Sequence, residues 1–457
     1  MGGRLVNRWQ LSRVAEWAQG RLIGKDTTVT GVGIDSRTLS AGALFVALDG
    51  ERFDGHDFIR PGLPAAACMV AREVDDPRPQ VLVEDTLRGL SRFAAAWRES
   101  LQACVVALTG SNGKTTVKEM LASILSCAGP TQATRGNLNN HIGVPLSLLT
   151  VEPDHRYAVI EMGANHAGEI AALTAIARPQ VALINNAGPA HLEGFGDLPG
   201  VARAKGEIYG GLVPDGIAVI NADDDFAEYW VGLNRDRRVL TFGMRQAADV
   251  RGSYANGRLH ARTPLGEFEV NLPLTGYHNA MNALAATAAA LAAGVELDAI
   301  REGLARVRGV GGRLRELEGR GGVTILDDTY NANPASLDAG LEVLASRAGV
   351  RWLVLGDMAE LGSSGPALHR AAGERARARG IERLFGVGAL SREATDAFGR
   401  GAEHCADIET LAETVTRAAG AAGRPLTILV KGSRSMALER LVGRLALHPV
   451  EGGAHAV

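Results

Sequence analysis

The chain is poor in cysteine and lysine and carries no excess of either charge. Its four cysteines, Cys68, Cys104, Cys127 and Cys405, stand singly with no Cys-x-x-Cys pair, so neither a zinc site nor a disulfide framework is indicated, and a reducing, cytoplasmic setting is expected. With 48 basic against 51 acidic residues and a formal net charge of −3, the basic footprint of a nucleic-acid binder is missing, and no nucleic-acid partner is expected. The N-terminus has no continuous apolar core of a leader. The longest apolar stretch, 280–294, is mostly alanine, is interrupted by Asn282 and is too short to span a bilayer. It predicts a closely packed buried helix, and no membrane insertion is expected.

Lysine scarcity is the more informative deficit. Only Lys25, Lys114, Lys118, Lys205 and Lys431 are present, against 43 arginines. Where arginine serves for generic surface charge, a retained lysine suggests a compact charge on phosphate or an amine that becomes nucleophilic when deprotonated. Lys25 and Lys118 read as ordinary solvated residues, Lys118 lying one turn into a helix. The other three sit in motifs.

The strongest motif is Thr109-Gly110-Ser111-Asn112-Gly113-Lys114-Thr115-Thr116, between the apolar run 103–108 and a helical pattern over 117–126. A glycine loop there turns backbone amides toward phosphate oxygens and adds the partial charge of a helix N-terminus. Lys114 can reach the β/γ oxygens and Thr115 can ligate Mg²⁺, which predicts nucleoside triphosphate chemistry. The usual spacing would place glycine where Leu108 stands, so the loop is a shortened variant.

At 457 residues the chain exceeds one ordinary core, and about 100 to 200 residues per domain suggests several. Three are expected: 1–84, 85–311 and 312–457. The overall class is α/β: a small α/β unit, a central P-loop unit on a parallel sheet, and a Rossmann-like C-terminal unit. Apolar runs at 157–161, 181–185 and 216–220 read as buried parallel strands, whose C-terminal ends collect ligands in such sheets. Glu161 stands at one such end and is a candidate Mg²⁺ ligand, a solvated acid being the alternative. His191 lies in the loop after the next strand, where a ligand role is plausible. Residues 249–275, with turns at Asn256-Gly257 and Pro264-Leu265-Gly266, predict a hairpin insertion at the sheet edge. Asn279 and Asn282 share a helix face, which suits amides holding a flat base, and capping would account for only one of them. Gly311-Gly312-Arg313 reads as a hinge. Beyond it, strands at 323–326, 352–355, 383–385 and 427–430 form a second doubly wound unit without a phosphate loop. Segments 327–334, 356–362 and 431–435 each follow a strand and should converge on one edge facing the central unit.

Together these segments resemble the Mur ligase family, the ATP-dependent amide-forming enzymes of peptidoglycan precursor synthesis, over nearly the whole chain. The matching elements are the Thr-Gly-x-Asn-Gly-Lys-Thr-Thr loop, Glu161, His191 five residues after Asn186, Tyr277-His278-Asn279 with Asn282, Gly312-Arg313 and Asp328. Segments 136–145, 190–196, 327–334 and 431–435 resemble the last ligase of the series, and the Asp-Asn-Pro-Arg segment of the diaminopimelate-adding relative is missing. The resemblance implies that ATP phosphorylates the terminal carboxylate of a UDP-N-acetylmuramoyl-tripeptide and that D-alanyl-D-alanine then attacks. It implies ATP contacts at Gly110, Ser111, Asn112, Gly113, Lys114, Thr115, Thr116, Asn279, Asn282, Arg313 and Asp328. Catalytic roles fall on Lys114, His191 and Lys205. Two Mg²⁺ ions would be held by Thr115, Glu161, His191 and Lys205, the last as a CO₂-derived carbamate, an anion that arginine could not form. The UDP substrate would meet Asp35, Ser36, Arg37, Asn139 and Asn140. The dipeptide would meet Tyr330, Asn331, Asn333, Asp357, Lys431, Ser433 and Arg434. A monomer is expected. Another Mur-type ligase, a folylpolyglutamate synthase-like ligase and a P-loop nucleotide switch remain as alternatives.

Overall fold

The computed structural model describes residues 8–50, 53–190, 192–422 and 425–448. Three large sheets organise them, beside a two-stranded antiparallel pair of Trp9–Gln10 with Thr28–Val29. The first has five strands in the order Arg21–Ile23, Gln80–Leu82, Ala67–Val70, Leu44–Val46 and Val32–Gly33, parallel except for the first pair. The side chains of Phe45, Cys68 and Val70 form a small core with Ile59 on one face of this sheet. Leu44, Val46 and Met69 alternate to the other face and pack into the core of the central unit. The expected boundary at 84/85 falls at Asp85, whose side chain caps helix Thr86–Ser100 by accepting from the Arg88 amide. That helix contributes Leu90, Phe93 and Trp97 to the shared core, so it belongs physically to both units.

The central sheet has nine strands. Cys104–Thr109 lies between Tyr157–Glu161 and Val181–Ile184 and is parallel to both. Its neighbours lead away in opposite directions, which makes its C-terminal end the switch point where a ligand crevice opens. Helix Lys114–Ala128 starts there, and the alanine-rich helix Tyr277–Ala292 packs beside it, as its small side chains permit. The insertion at 249–275 is a three-stranded antiparallel meander, Val250–Ala255, Arg258–Thr263 and Gly266–Asn271, extending one edge. Its first turn is the two residues Asn256 and Gly257, with φ of 52° and 79°, the paired left-handed geometry that an Asn-Gly turn favours.

The third sheet has six strands, ordered Arg315–Glu318, Thr324–Asp328, Leu426–Lys431, Val350–Gly356, Arg383–Val387 and Ala402–Cys405, all parallel except the first. Helices cover both faces, and two apolar clusters fill the two layers. Because Thr324–Asp328, Leu426–Lys431 and Val350–Gly356 are neighbours, the loops after them do converge on one edge. Among the described residues no helix is long and apolar enough to cross a membrane.

Candidate active site

A cavity of about 730 Å³ opens where the C-terminal strand ends of the central and third sheets face each other. Its floor is the glycine loop. Gly113 has a φ of +77°, and a Cβ there would stand 2.4 Å from Asn282 Oδ1, so both conformation and space demand glycine. The loop is fixed by an asparagine pair at the end of the neighbouring strand. Ser111 N donates to Asn186 O at 3.0 Å. Asn112 N donates to Asn186 Oδ1 at 2.9 Å, and Asn185 Nδ2 donates to Asn112 O at 2.9 Å. With those two loop amides engaged, the amides at the start of helix Lys114–Ala128, which have no intrahelical partner, are the ones offered to phosphate. Lys114 Nζ donates to Gly110 O at 2.7 Å. Burial lowers the Lys114 pKa, Glu161 opposes the shift and Arg313 adds to it.

Glu161 is 1% exposed, which removes the solvated-acid alternative. Its Oε1 accepts from Asn139 Nδ2 at 2.8 Å and Thr115 Oγ1 at 3.4 Å. Its Oε2 is buried without a hydrogen-bond partner among the described residues, the Lys118 amine standing 3.9 Å away, beyond hydrogen-bond reach. A buried carboxylate oxygen with no hydrogen bond, beside a phosphate-loop threonine, is costly unless a ligand completes it, and this oxygen donor set fits the hard, oxygen-seeking Mg²⁺.

Lys205, 3% exposed, lies on helix Leu198–Gly206 with its amine 6.0 Å from the centroid of the Phe195 ring. Among the described residues it has no acidic partner. Its pKa falls well below the ordinary lysine value, chiefly through burial and further through the charge of Lys114. A neutral, nucleophilic amine is the form that can take up CO₂, so the site fits a carbamate. His191 lies outside the described residues.

Lys118 corrects the sequence reading. It is 1% exposed, not solvated, and donates to Gly136 O at 3.2 Å. Loop 135–142 folds across this face of the helix, a tertiary event with no local signature. The asparagine pair 279 and 282 also behaves differently from the capping expectation. The N-cap is Gly276, with no side-chain cap. Instead Asn185 Nδ2 donates to Asn282 Oδ1 at 2.9 Å, Asn282 Nδ2 to Asn279 Oδ1 at 3.3 Å, and Asn279 Nδ2 to Thr275 O at 2.9 Å. This amide relay ties the glycine loop to the alanine-rich helix.

From the third unit, Arg313 Nη2 donates to Thr115 Oγ1 at 3.2 Å, and its guanidinium carbon lies 4.1 Å from the Tyr330 ring centroid. Asp328 Oδ1 accepts from Leu314 N at 3.2 Å, and Oδ2 pairs with Lys431 Nζ at 2.5 Å. Lys431 also donates to Asn331 O at 3.0 Å. Tyr330, Asn331, Asn333 and Lys431 line the cavity, as do Asn139 and Asn140. Asp357, Ser433 and Arg434 do not. Asp357 Oδ1 accepts from Leu390 N and Ser391 N, Ser433 Oγ accepts from Ala359 N, and Arg434 pairs with Glu439. Asp35, Ser36 and Arg37 also lie outside the cavity, with the Arg37 fork closed on Asp35 at 2.7 and 2.9 Å. Besides Lys118, the sequence reading missed Asn185 and Asn186 as site residues, although a polar pair ending a buried strand at the switch point was a usable signal.

A phosphate loop facing a buried strand-end carboxylate, with an arginine delivered by a separate α/β unit, defines a nucleoside triphosphate-dependent enzyme whose site spans two units. The Mur ligase middle domain model matches residues 108–290, the Mur ligase glutamate ligase domain model matches 312–434, and the Mur ligase family catalytic domain model matches 28–97. The chain belongs to the Mur ligase family. It is 47% identical over 443 residues to UDP-N-acetylmuramoyl-tripeptide–D-alanyl-D-alanine ligase of Escherichia coli (strain K12), covering 95% of this chain and 98% of that one. A crystal structure of MurF from Acinetobacter baumannii superposes with a TM-score of 0.91 at 36% identity, covering 96% of this chain and 98% of that one. MurF ligase from Thermotoga maritima in complex with ADP superposes with a TM-score of 0.79 at 30% identity, covering 91% and 96%.

Proposed function

We propose that the chain is an ATP-dependent ligase that joins D-alanyl-D-alanine to the terminal carboxylate of UDP-N-acetylmuramoyl-tripeptide, giving UDP-N-acetylmuramoyl-pentapeptide for peptidoglycan synthesis in the cytoplasm. The observation that carries this reading is the meeting, in one cavity, of the glycine loop, the buried carboxylate of Glu161, whose Oε2 accepts no hydrogen bond among the described residues, and the buried amine of Lys205. The likeness to the E. coli ligase along 95% of the chain supports the choice of substrates.

ATP lies with its phosphates on the first-turn amides of helix Lys114–Ala128. Lys114 leaves the Gly110 carbonyl to meet the β/γ oxygens. Asn279, Asn282, Arg313 and Asp328 surround the rest of the nucleotide. Thr115 and Glu161 would hold one Mg²⁺, and His191 with a carbamylated Lys205 would hold a second; such ions would supply positive charge against the transferring phosphoryl group and the acceptor carboxylate. The tripeptide carboxylate attacks the γ-phosphorus, forming an acyl phosphate and releasing ADP. The neutral amine of D-alanyl-D-alanine then attacks the acyl carbon, the amide bond forms, phosphate leaves and the amine loses a proton. Positioning and electrostatics supply most of such catalysis.

UDP-muramoyl binding by Asp35, Ser36, Arg37, Asn139 and Asn140 belongs to the same proposal. So does a dipeptide site at Tyr330, Asn331, Asn333 and Lys431, the four expected residues that reach the cavity. A monomer belongs to the same proposal. A nucleotide switch would leave Lys205 and the strand ends of the third unit without a task. Tripeptide labelled with ¹⁸O in its terminal carboxylate tests the route: the acyl phosphate requires label in the released phosphate, and unlabelled phosphate would refute it.

A further inference from the structure

Lys118 is unused by the reaction above, yet its burial requires an explanation. A lysine withdrawn from water is costly unless paired. Its amine has three neighbours: Gly136 O at 3.2 Å, the half-exposed Glu119 at 3.3 Å, and Glu161 Oε2 at 3.9 Å. That last oxygen accepts no hydrogen bond among the described residues.

We infer that Lys118 is a positioning residue for the metal-binding carboxylate of Glu161, acting on both of its oxygens. The inference rests on the reading of Glu161 as a metal ligand. On Oε2 the action is direct. At 3.9 Å the ammonium faces this oxygen across a buried ion pair, which holds the carboxylate in place, but it is too far to donate to it, so the oxygen's lone pairs stay free for a cation. On Oε1 the action runs through the loop. Gly136, at a left-handed φ of 56°, turns its carbonyl onto Lys118, and three residues later Asn139 Nδ2 donates to Oε1 at 2.8 Å. One amine thus anchors the loop that fixes one oxygen and faces the other without closing it. A guanidinium fork at this place would donate to Oε2 and occupy it, which accounts for lysine in an arginine-rich chain.

The test is Mn²⁺ binding in the presence of ADP, followed by water-proton relaxation on the full chain as wild type, K118M, E161Q and the double variant. The inference predicts that K118M weakens Mn²⁺ binding roughly 10- to 100-fold, the usual range for a group that orients a metal ligand. It also predicts a KM for the UDP substrate within about twofold of wild type, and no further loss when K118M is added to E161Q. Wild-type affinity in E161Q would refute the metal reading itself. A weakened E161Q with an unaffected K118M, or an equal further loss in the double variant, would overturn the role of Lys118 alone. If K118M does not melt cooperatively, the comparison of E161Q with the double variant, which lacks both buried charges, decides: equal affinities agree with the inference, and a tenfold difference, about 1.4 kcal/mol, overturns it.

Discussion

Asn333 Nδ2 donates a 2.7 Å hydrogen bond to Asn112 Oδ1, tying a helix start in the third unit to the middle of the phosphate loop. The same side chain accepts from Ser336 N in a capping box, so one amide sets the helix start and reports the position of the loop.

The two roles separate by substitution. Asn333→Asp keeps the acceptor for Ser336 but turns the donor into an oxygen facing Asn112. Melting should change little, while the KM for ATP rises about fivefold, the equivalent of one hydrogen bond. Asn333→Ala loses the cap as well, at about 1 kcal/mol of stability. Thermal melting beside ATP kinetics distinguishes these outcomes; equal KM values in wild type and Asn333→Asp would remove the link from the catalytic account.

Gly113→Ala tests the floor of the site. The left-handed backbone and the 2.4 Å approach of Asn282 Oδ1 leave no room for a methyl group, so stability should fall by roughly 1–3 kcal/mol and ADP binding should be lost. Calorimetric titration with ADP checks this.

Lys205→Ala should lower turnover on the order of 100-fold or more, and a short carboxylic acid should restore part of it by standing in for the carbamate. Enzyme stripped of CO₂ should lose activity and regain it with bicarbonate. Full activity without CO₂ would eliminate the carbamate.

His278 provides a pH signature. Burial is the main reason its pKa is depressed from 6.5 to about 4, with Asp328 opposing and Lys431 adding to the shift. Between those values the unfolded chain binds a proton that the folded chain refuses. Stability is therefore full above about pH 6.5 and is lost as pH falls toward 4. His278→Gln should flatten this part of the stability-against-pH curve, measured by urea unfolding across pH 4–7.

Much of the site was legible because its signals are local. The glycine loop, Glu161 at a strand end, and the Asn256-Gly257 turn depend on a few consecutive residues whose backbone geometry permits little else. Lysine scarcity pointed in the right direction, since Lys114, Lys118, Lys205 and Lys431 all sit at or against the cavity and Lys25 is exposed. Lys118 was misread because its burial comes from loop 135–142 closing over the helix, which no helical periodicity encodes. The place of helix Thr86–Ser100 in one core shared by two units was equally hidden, because an amphipathic helix does not announce which sheets it will meet. Asp357 and Arg434 follow strands at the right edge, yet one caps a helix start and the other pairs with Glu439; motif position gave the edge but not the direction of the side chain.

The most direct test of the central claim is phosphate release from Mg²⁺-ATP by the purified chain given UDP-N-acetylmuramoyl-tripeptide, with and without D-alanyl-D-alanine, and the mass of the nucleotide product. Steady release that requires the dipeptide, with UDP-N-acetylmuramoyl-pentapeptide formed, is the predicted result. Release that ignores the dipeptide, or a product of unchanged mass, would contradict it.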